Sequence, residues 1–111
     1  DYNSLTGTLP ESLGELMDLT DLSLGYNTIN GTIPSTLGHL DQLKTLVLRT
    51  NIFDGTVPFE LANCTNLVDV KLEMNYLSGD LDFMCPLDPN EKLSSDCITG
   101  DVVCHCCTYC Y

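Results

Sequence analysis

The chain has 111 residues, seven cysteines, 43% hydrophobic residues and a formal net charge of −12. This length allows one small domain, and no segment reaches the roughly 18 consecutive apolar residues that a membrane-spanning helix needs. The acidic excess argues against nucleic acid and anionic membrane surfaces as partners, whose negative charge would be repelled, but it permits a basic partner.

Asparagine recurs at a fixed interval through most of the chain. The four copies, Asn3, Asn27, Asn51 and Asn75, are each 24 residues apart. Glycine and proline keep the same interval at Gly7, Gly31, Gly55 and Gly79 and at Pro10, Pro34 and Pro58. An internal period of about 20–50 residues is typical of a solenoid, in which no repeat buries its apolar face alone and stacking forms the core.

Each repeat combines two shorter periodicities. Leu22 and Leu24 alternate with polar residues or glycine, which predicts a short strand with one buried face. Pro34, Leu37 and Leu40 then follow at intervals of three, which predicts a short 3₁₀ or helical segment. The predicted coil therefore contains one strand and one short helix per repeat.

The asparagine of each repeat lies where the chain turns out of the strand. Its side-chain amide both donates and accepts hydrogen bonds, so stacked copies are predicted to form a structural ladder that satisfies backbone groups of the turn. Gly31 and its copies suit a tight bend or a close approach of neighbouring coils.

Residues 19–42 read L-x-x-L-x-L-x-x-N-x-I-x-G-x-I-P-x-x-L-x-x-L-x-x, and this pattern resembles the plant-type leucine-rich repeat. The resemblance covers residues 3 to about 81. It implies the α/β fold class of a right-handed leucine-rich-repeat solenoid, with short parallel β-strands on the concave face and 3₁₀ or short helices and loops on the convex face. It also implies a binding role, because this family rarely carries catalysis.

The repeat pattern fails near the C-terminus, at Asp82 where proline is expected and at Cys85 where leucine is expected. We therefore predict leucine-rich repeats over residues 1–84, divided into a partial repeat 1–18 and repeats 19–42, 43–66 and 67–84. Residues 85–111 are predicted to form a cysteine-rich C-terminal cap.

The first residues match the middle of a repeat, since Asp1 and Tyr2 align with Gly25 and Tyr26. We expect the sequence to be the C-terminal part of a longer protein, or else to be covered by a partner at this end. Without such a cover, the first coil would expose the apolar residues Leu5, Leu9, Leu13 and Leu16.

Six of the seven cysteines lie in the last 27 residues, at Cys85, Cys97, Cys104, Cys106, Cys107 and Cys110. They predict three disulfides of open connectivity, which would make a segment with little core rigid. Cys85 is expected to reach the cluster that ends at Cys110, and the adjacent Cys106 and Cys107 are not expected to pair. Cys64 replaces a core leucine and is predicted to be free and buried.

The same cluster, together with His105, is also rich in zinc ligands. The resemblance to secreted repeat proteins favours disulfides instead, so we predict no metal and no cofactor. Two N-x-S/T sequences, at Asn30 and Asn63, are candidate glycosylation sites and favour a secreted or cell-surface protein.

A ligand-binding surface is predicted on the concave face, where outward residues alternate with the core leucines and are free to vary. These residues mix charge, an aromatic ring and a methionine, which suits a protein or peptide ligand. The candidates are Asp21, Ser23, Tyr26, Thr45, Val47, Arg49, Asp69, Lys71, Glu73 and Met74. Arg49 and Lys71 are expected to pair with Asp69 and Glu73 or to hold a carboxylate of the ligand.

The sequence favours a non-catalytic recognition module for a protein, peptide or glycan. His39 and His105 have no nucleophile and acid at a recognisable spacing, and no phosphate-binding loop is present. A subunit that stacks into an extracellular assembly and an inhibitor of a secreted hydrolase remain alternatives. Threonines at Thr8, Thr32 and Thr56 form an array too short to favour ice binding.

Overall fold

The computed structural model describes residues 4–85, 92–96 and 101–111. The expectations for Asn3 and Cys97 therefore lie outside the described residues. Within the described ranges the chain forms a stack of coils, and its regular elements are short parallel strands and 3₁₀ helices. This arrangement confirms the predicted leucine-rich-repeat solenoid.

The concave sheet contains one strand from each coil. Its strands are β2 (Asp21–Ser23), β4 (Thr45–Val47), β6 (Asp69–Lys71), β8 (Lys92–Ser95) and β10 (Tyr109–Cys110). They pair in parallel in the order β10-β8-β6-β4-β2. The sequence pattern did not predict β8 and β10, which extend the sheet into the cysteine-rich segment.

A second sheet follows the asparagine of each coil. Its strands are β1 (Thr6–Thr8), β3 (Thr28–Gly31), β5 (Ile52–Thr56), β7 (Tyr76–Asp80) and β9 (Val102–Val103), paired in parallel in that order. The sequence pattern predicted a bend or close approach at Gly31 and its copies and no second sheet. They form strands because stacked coils bring their backbone groups into hydrogen-bonding distance.

Among the described residues, the convex side carries four 3₁₀ helices, η1 (Glu11–Glu15), η2 (Ser35–His39), η3 (Phe59–Asn63) and η4 (Asp82–Met84). The prediction of a short 3₁₀ or helical segment in each repeat is therefore confirmed, and the structure identifies it as 3₁₀. Pro34 and Pro58 immediately precede η2 and η3 in an extended conformation, with φ of −63° and −64°. Proline suits this position because its φ is already fixed near that value and the position needs no N–H donor.

Gly14 and Gly38 allow the convex helices to pack closely. A Cβ on Gly38 would lie 2.5 Å from the backbone oxygen of Glu60, and one on Gly14 would lie 2.4 Å from that of Thr36. Any larger residue would therefore collide with the backbone of the next coil. Ala62 occupies the equivalent position in η3 and is exposed.

The core lies between the two sheets and the convex helices and consists of the repeated leucines, isoleucines and valines with Phe53. Cys64 is free and buried, as predicted, and its thiol donates a hydrogen bond to the carbonyl of Leu37 at 3.2 Å. Burial raises the pKa of this thiol. Leu5 and Leu16 are 41% and 51% exposed at the first coil, whereas Leu9 and Leu13 are partly buried.

The asparagines form the predicted ladder. The Asn51 side chain donates to the carbonyls of Leu24 and Leu48 at 2.9 and 3.1 Å. Its Oδ1 accepts the N–H of Ile29 at 3.0 Å. Asn27 and Asn75 make equivalent contacts, so each amide ties its own turn to the preceding coil.

Asp96 completes the hydrogen bonds of the turn at Asn75, a role that the sequence analysis did not predict. In the earlier coils, the N–H groups of Thr50 and Asn51 bond to backbone carbonyls of the next coil. At the next turn, the Asp96 carboxylate accepts the N–H groups of Met74 and Asn75 at 2.8 and 3.1 Å. One carboxylate therefore replaces two carbonyls.

The cysteine-rich segment is joined to the last coil by covalent and polar contacts. Disulfides link Cys85 to Cys106 and Cys104 to Cys107. Cys85 thus reaches the C-terminal cluster as predicted, and Cys106 and Cys107 do not pair with each other. Cys110 is also disulfide-bonded.

Candidate functional site

The concave sheet aligns the predicted ligand-binding residues in rows across its strands. Asp21 lies beside Thr45, which lies beside Asp69. The next row contains Ser23, Val47 and Lys71. Both rows match the order predicted from the sequence, because the fixed repeat length places equivalent residues on neighbouring strands.

Two of the predicted outward residues are not available on this surface. Glu73 is 1% exposed and Val47 is 8% exposed, so neither side chain is open to a ligand. The prediction that they lie on an open face was wrong. For Glu73 the physical reason is that Arg49 and Ser94, which come from the two neighbouring coils, contact its carboxylate, and the alternation of residues within one coil does not reveal such contacts.

The buried Glu73 carboxylate has a partner on each side. Its Oε1 lies 3.1 Å from Nε of Arg49, and its Oε2 accepts a hydrogen bond from the Ser94 hydroxyl at 2.6 Å. The guanidinium carbon of Arg49 also lies 5.2 Å from the centre of the Tyr26 ring. The predicted pairing of Arg49 with Glu73 is confirmed, and these contacts hold the guanidinium in one orientation.

Lys71 makes the other ion pair of this face. Its Nζ lies 3.6 Å from Oδ2 of Asp69, on the same strand, and both side chains remain partly exposed. Asp21 lies at the far side of the sheet, where hydrogen bonds from Thr45 and Thr20 lower the pKa of its carboxyl. The exposed part of the face thus offers carboxylates, a hydroxyl and an ammonium group on a rigid sheet.

The chain turns between the two sheets at a column of residues with positive φ. Tyr26, Thr50 and Met74 have φ of 60°, 56° and 60°. Non-glycine residues seldom adopt this conformation, but here it directs the side chains outward from the corner. Met74 is 55% exposed, and its sulfur accepts a hydrogen bond from the Thr50 hydroxyl at 3.6 Å.

Ile52 and Tyr76 lie just beyond this corner and were not predicted as site residues. They are 42% and 73% exposed at the beginning of β5 and β7. The sequence contained a signal for them, because the equivalent positions in the earlier repeats are the polar Ser4 and Thr28.

The second sheet also carries the threonine array. The γ-methyl groups of Thr8 and Thr56 lie 2.9 and 3.1 Å from a Cβ placed on Gly31 and Gly79. These glycines have φ of 80° and 95°. Glycine is needed there both for the positive φ and for the space that the threonine methyl occupies.

The described part of the chain contains no group of three His, Cys, Asp or Glu side chains placed to hold a metal ion. Within the same ranges, no helix is long and apolar enough to cross a membrane. Asn30 is exposed on β3, and Asn63 is exposed at the end of η3.

These features define a repeat solenoid with an exposed concave sheet, and comparisons with known proteins agree. The sequence model of the Leucine Rich Repeat family matches residues 18–40. No curated protein matches the sequence. The structure is similar to the ectodomain of the receptor kinase SOBIR1 from Arabidopsis thaliana, with a TM-score of 0.78 and 36% identity, over 83% of this chain and 50% of that one.

Two further solved structures are complexes. The ectodomain of GASSHO1/SCHENGEN3 from Arabidopsis thaliana, in complex with CASPARIAN STRIP INTEGRITY FACTOR 2, has a TM-score of 0.73 and 34% identity, over 83% of this chain and 11% of that one. The PEPR1–AtPEP1 structure has a TM-score of 0.73 and 31% identity, over 90% of this chain and 13% of that one. The chain spans half or less of these relatives. Its fold and these similarities show that it is a plant-type leucine-rich-repeat protein.

Proposed function

We propose that the chain is a non-catalytic recognition module that binds a peptide or protein ligand on its concave sheet. The observation that carries this proposal is the row of Asp21, Thr45 and Asp69 beside Lys71, in which Asp21 is exposed and the other three residues are partly exposed. The fold does not need these polar side chains in its core, yet the sheet holds them in a fixed arrangement. Such preorganised polar groups bind with a small loss of conformational entropy.

The arrangement of Arg49 supports the same proposal. The guanidinium contacts Glu73 and the Tyr26 ring, and the Arg49 side chain as a whole is still 26% exposed. A held but partly exposed guanidinium can add a directed hydrogen bond to a ligand acceptor. The similarity to a plant peptide hormone receptor, RGFR1 in complex with RGF2, makes a peptide the favoured ligand class.

The proposal is tested by selecting binders from a display library of short random peptides against the whole chain. Replacing Thr45 with arginine places a large side chain in the middle of the concave row. We expect Thr45→Arg to weaken binding of the selected peptides at least about tenfold. The matched control is Ser35→Arg, which adds the same side chain to the exposed start of η2 on the convex side.

Equal binding by Thr45→Arg and by the unmodified chain would contradict the proposal, as would loss of binding in the Ser35→Arg control alone. Binding of an oligosaccharide array in place of peptides would make a glycan the ligand. Light scattering addresses the structural alternative, since a defined assembly would support a subunit role and a monomer would support recognition.

We also propose that the protein is secreted or displayed at the cell surface and that Asn30 and Asn63 carry N-linked glycans. Both side chains are exposed, so neither glycan would disturb the core. Disulfides at Cys85–Cys106 and Cys104–Cys107 suit an oxidising compartment. Enzymatic deglycosylation of the protein from its native source should convert both asparagines to aspartate, which mass spectrometry detects. An unmodified Asn30 and Asn63 would contradict the glycan proposal.

A further inference from the structure

A stripe of exposed apolar side chains runs along the corner between the two sheets. It consists of Tyr26, Ile52, Met74 and Tyr76, and we call it the corner ridge. Ile52, Met74 and Tyr76 are 42%, 55% and 73% exposed, and Tyr26 is half-buried beneath Arg49. Exposed apolar side chains that lie together often mark a binding surface.

The fold itself does not require apolar residues at these positions. By the 24-residue interval, Thr28 is equivalent to Ile52 and Tyr76, and Thr50 is equivalent to Tyr26 and Met74. The repeats therefore form the same turn with small hydroxyl residues. Folding therefore does not explain why Ile52, Met74 and Tyr76 are apolar.

The surface beside the corner ridge is acidic. The strands of the second sheet contain no lysine or arginine, and they carry Asp54 and Asp80. Asp54 lies directly beside Tyr76 in the pairing of β5 with β7 and takes part in none of the ion pairs of the described residues. On the concave side, Arg49 and Lys71 are already paired with Glu73 and Asp69. A basic ligand would therefore complement this surface.

The size of the corner ridge limits the kind of ligand. Neighbouring strands are about 4.8 Å apart, so the three coils that carry the corner ridge span about 10 Å, which is the length of roughly three residues of extended peptide. A globular partner usually buries about 800 Å² on each side, which is more than a few side chains offer.

We propose that the corner ridge docks an extended basic peptide segment. Its apolar side chains would pack on Ile52, Met74 and Tyr76, and its lysine or arginine side chains would reach Asp54. This inference rests on the proposed function, because it continues the path of a concave-face ligand around the corner to the second sheet.

The test uses the peptides selected from the random display library against the whole chain. We expect the selected peptides to combine lysine or arginine with aromatic or aliphatic residues. The double variant Ile52→Thr, Tyr76→Ser should weaken their binding at least about tenfold. It introduces the residue types already present at Thr28 and Ser4, so it is expected to fold. Asp54→Asn should weaken binding and reduce its dependence on salt.

The matched control is Phe59→Ser, because Phe59 is 71% exposed on the convex helix η3, away from both sheets. The corner-ridge proposal is overturned if the double variant binds the peptides as well as the unmodified chain while Thr45→Arg binds them more weakly. In that case the proposed recognition on the concave sheet stands. Selection of acidic peptides would also overturn it, as would self-association that the double variant abolishes. If none of the variants affects binding, the proposed function fails as well.

Discussion

The carboxylate of Asp96 accepts the backbone N–H of Met74 at 2.8 Å, in the place where the preceding coil uses a backbone carbonyl. The same carboxylate accepts the N–H of Asn75 at 3.1 Å. A side chain thus closes the hydrogen-bond ladder at the last asparagine, where the regular repeat is lost. One carboxylate therefore satisfies two backbone N–H groups at this turn, and β8 and β10 continue the concave sheet beyond it.

We predict that Asp96→Ala lowers the free energy of unfolding by roughly 2–4 kcal/mol, because two N–H groups lose charge-assisted hydrogen bonds. Urea denaturation measures this loss. Asp96→Asn keeps one acceptor oxygen and should be intermediate. Equal stability of the alanine variant and the unmodified chain would show that water replaces the carboxylate.

Asn51→Ala should be among the most destabilising single substitutions. Its amide is buried and its removal leaves the N–H of Ile29 and the carbonyls of Leu24 and Leu48 without that partner. The unpaired N–H of Ile29 costs about 1–3 kcal/mol. The two carbonyls keep hydrogen bonds from Asn27 and Asn75, and each bond they lose costs about 1 kcal/mol, so the total loss should be about 3 kcal/mol or more. The control Ser78→Ala changes an exposed residue of the second sheet and should stay within about 0.5 kcal/mol. If Asn51→Ala loses as little stability as the control, the asparagine ladder does not stabilise the fold.

Gly38→Ala tests the contact between convex helices. The added methyl group would lie 2.5 Å from the backbone oxygen of Glu60, which a rotamer change does not relieve. Forcing extra volume into a packed site costs about 1–3 kcal/mol, and this collision with backbone should reach the upper part of that range. Thermal unfolding measures the change, with Ala62→Ser as the control at the exposed equivalent position. A more stable Gly38→Ala variant would mean that the coils separate easily.

The Arg49–Glu73 pair is suited to a double-mutant cycle. Arg49→Met should destabilise the protein by about 3–5 kcal/mol, because the Glu73 side chain is only 1% exposed and its carboxylate loses its cationic partner. Adding Glu73→Leu should recover much of this loss, since the unpaired charge is removed. Additive effects of the two substitutions in urea denaturation would indicate that the residues do not interact.

The pairing of His105 with Asp82 makes stability dependent on pH. Hydrogen bonds from the His105 backbone N–H and ring lower the pKa of Asp82 below 3.8, and the Asp82 carboxylate raises the pKa of His105 above 6.5, with a smaller contribution from Asp80. The histidine contribution is complete below pH 6.5 and is lost as pH rises through the raised pKa. The aspartate contribution is present above pH 3.8 and is lost as pH falls through the lowered pKa.

We therefore expect the midpoint of thermal unfolding to fall as pH rises from 6 toward 8, and His105→Gln to reduce this dependence. Asp82→Asn should reduce it as well, because the imidazolium then lacks its anionic partner. Unchanged pH profiles in both variants would contradict a role of this pair in holding the cysteine-rich segment.

Much of the fold follows from the repeat alone. The asparagine interval, the alternation at Leu22 and Leu24, and the interval of three through Pro34 and Leu37 predict the concave strands, the ladder and the 3₁₀ helices. These features are predictable because each depends on contacts that every coil repeats. The rows of the concave sheet follow for the same reason.

The cysteine-rich segment was less predictable, because its residues do not repeat those of earlier coils. Strands β8, β9 and β10 extend both sheets although the leucine pattern has ended. The role of Asp96 as acceptor for the N–H groups of Met74 and Asn75 depends on contacts between coils, which the sequence pattern does not contain. The pairing of Cys85 with Cys106 likewise depended on which side chains the last coil brings together.

The sequence by itself determined the solenoid, its core and the order of residues on the concave face, because periodic apolar positions admit only one way of stacking the coils. Only the tertiary structure decided which outward residues remain open. Glu73 shares its column with Arg49, yet Arg49 and Ser94 enclose its carboxylate, while Tyr76 remains exposed just beyond the corner. Burial depends on neighbours from other coils, and a pattern within one coil does not contain them.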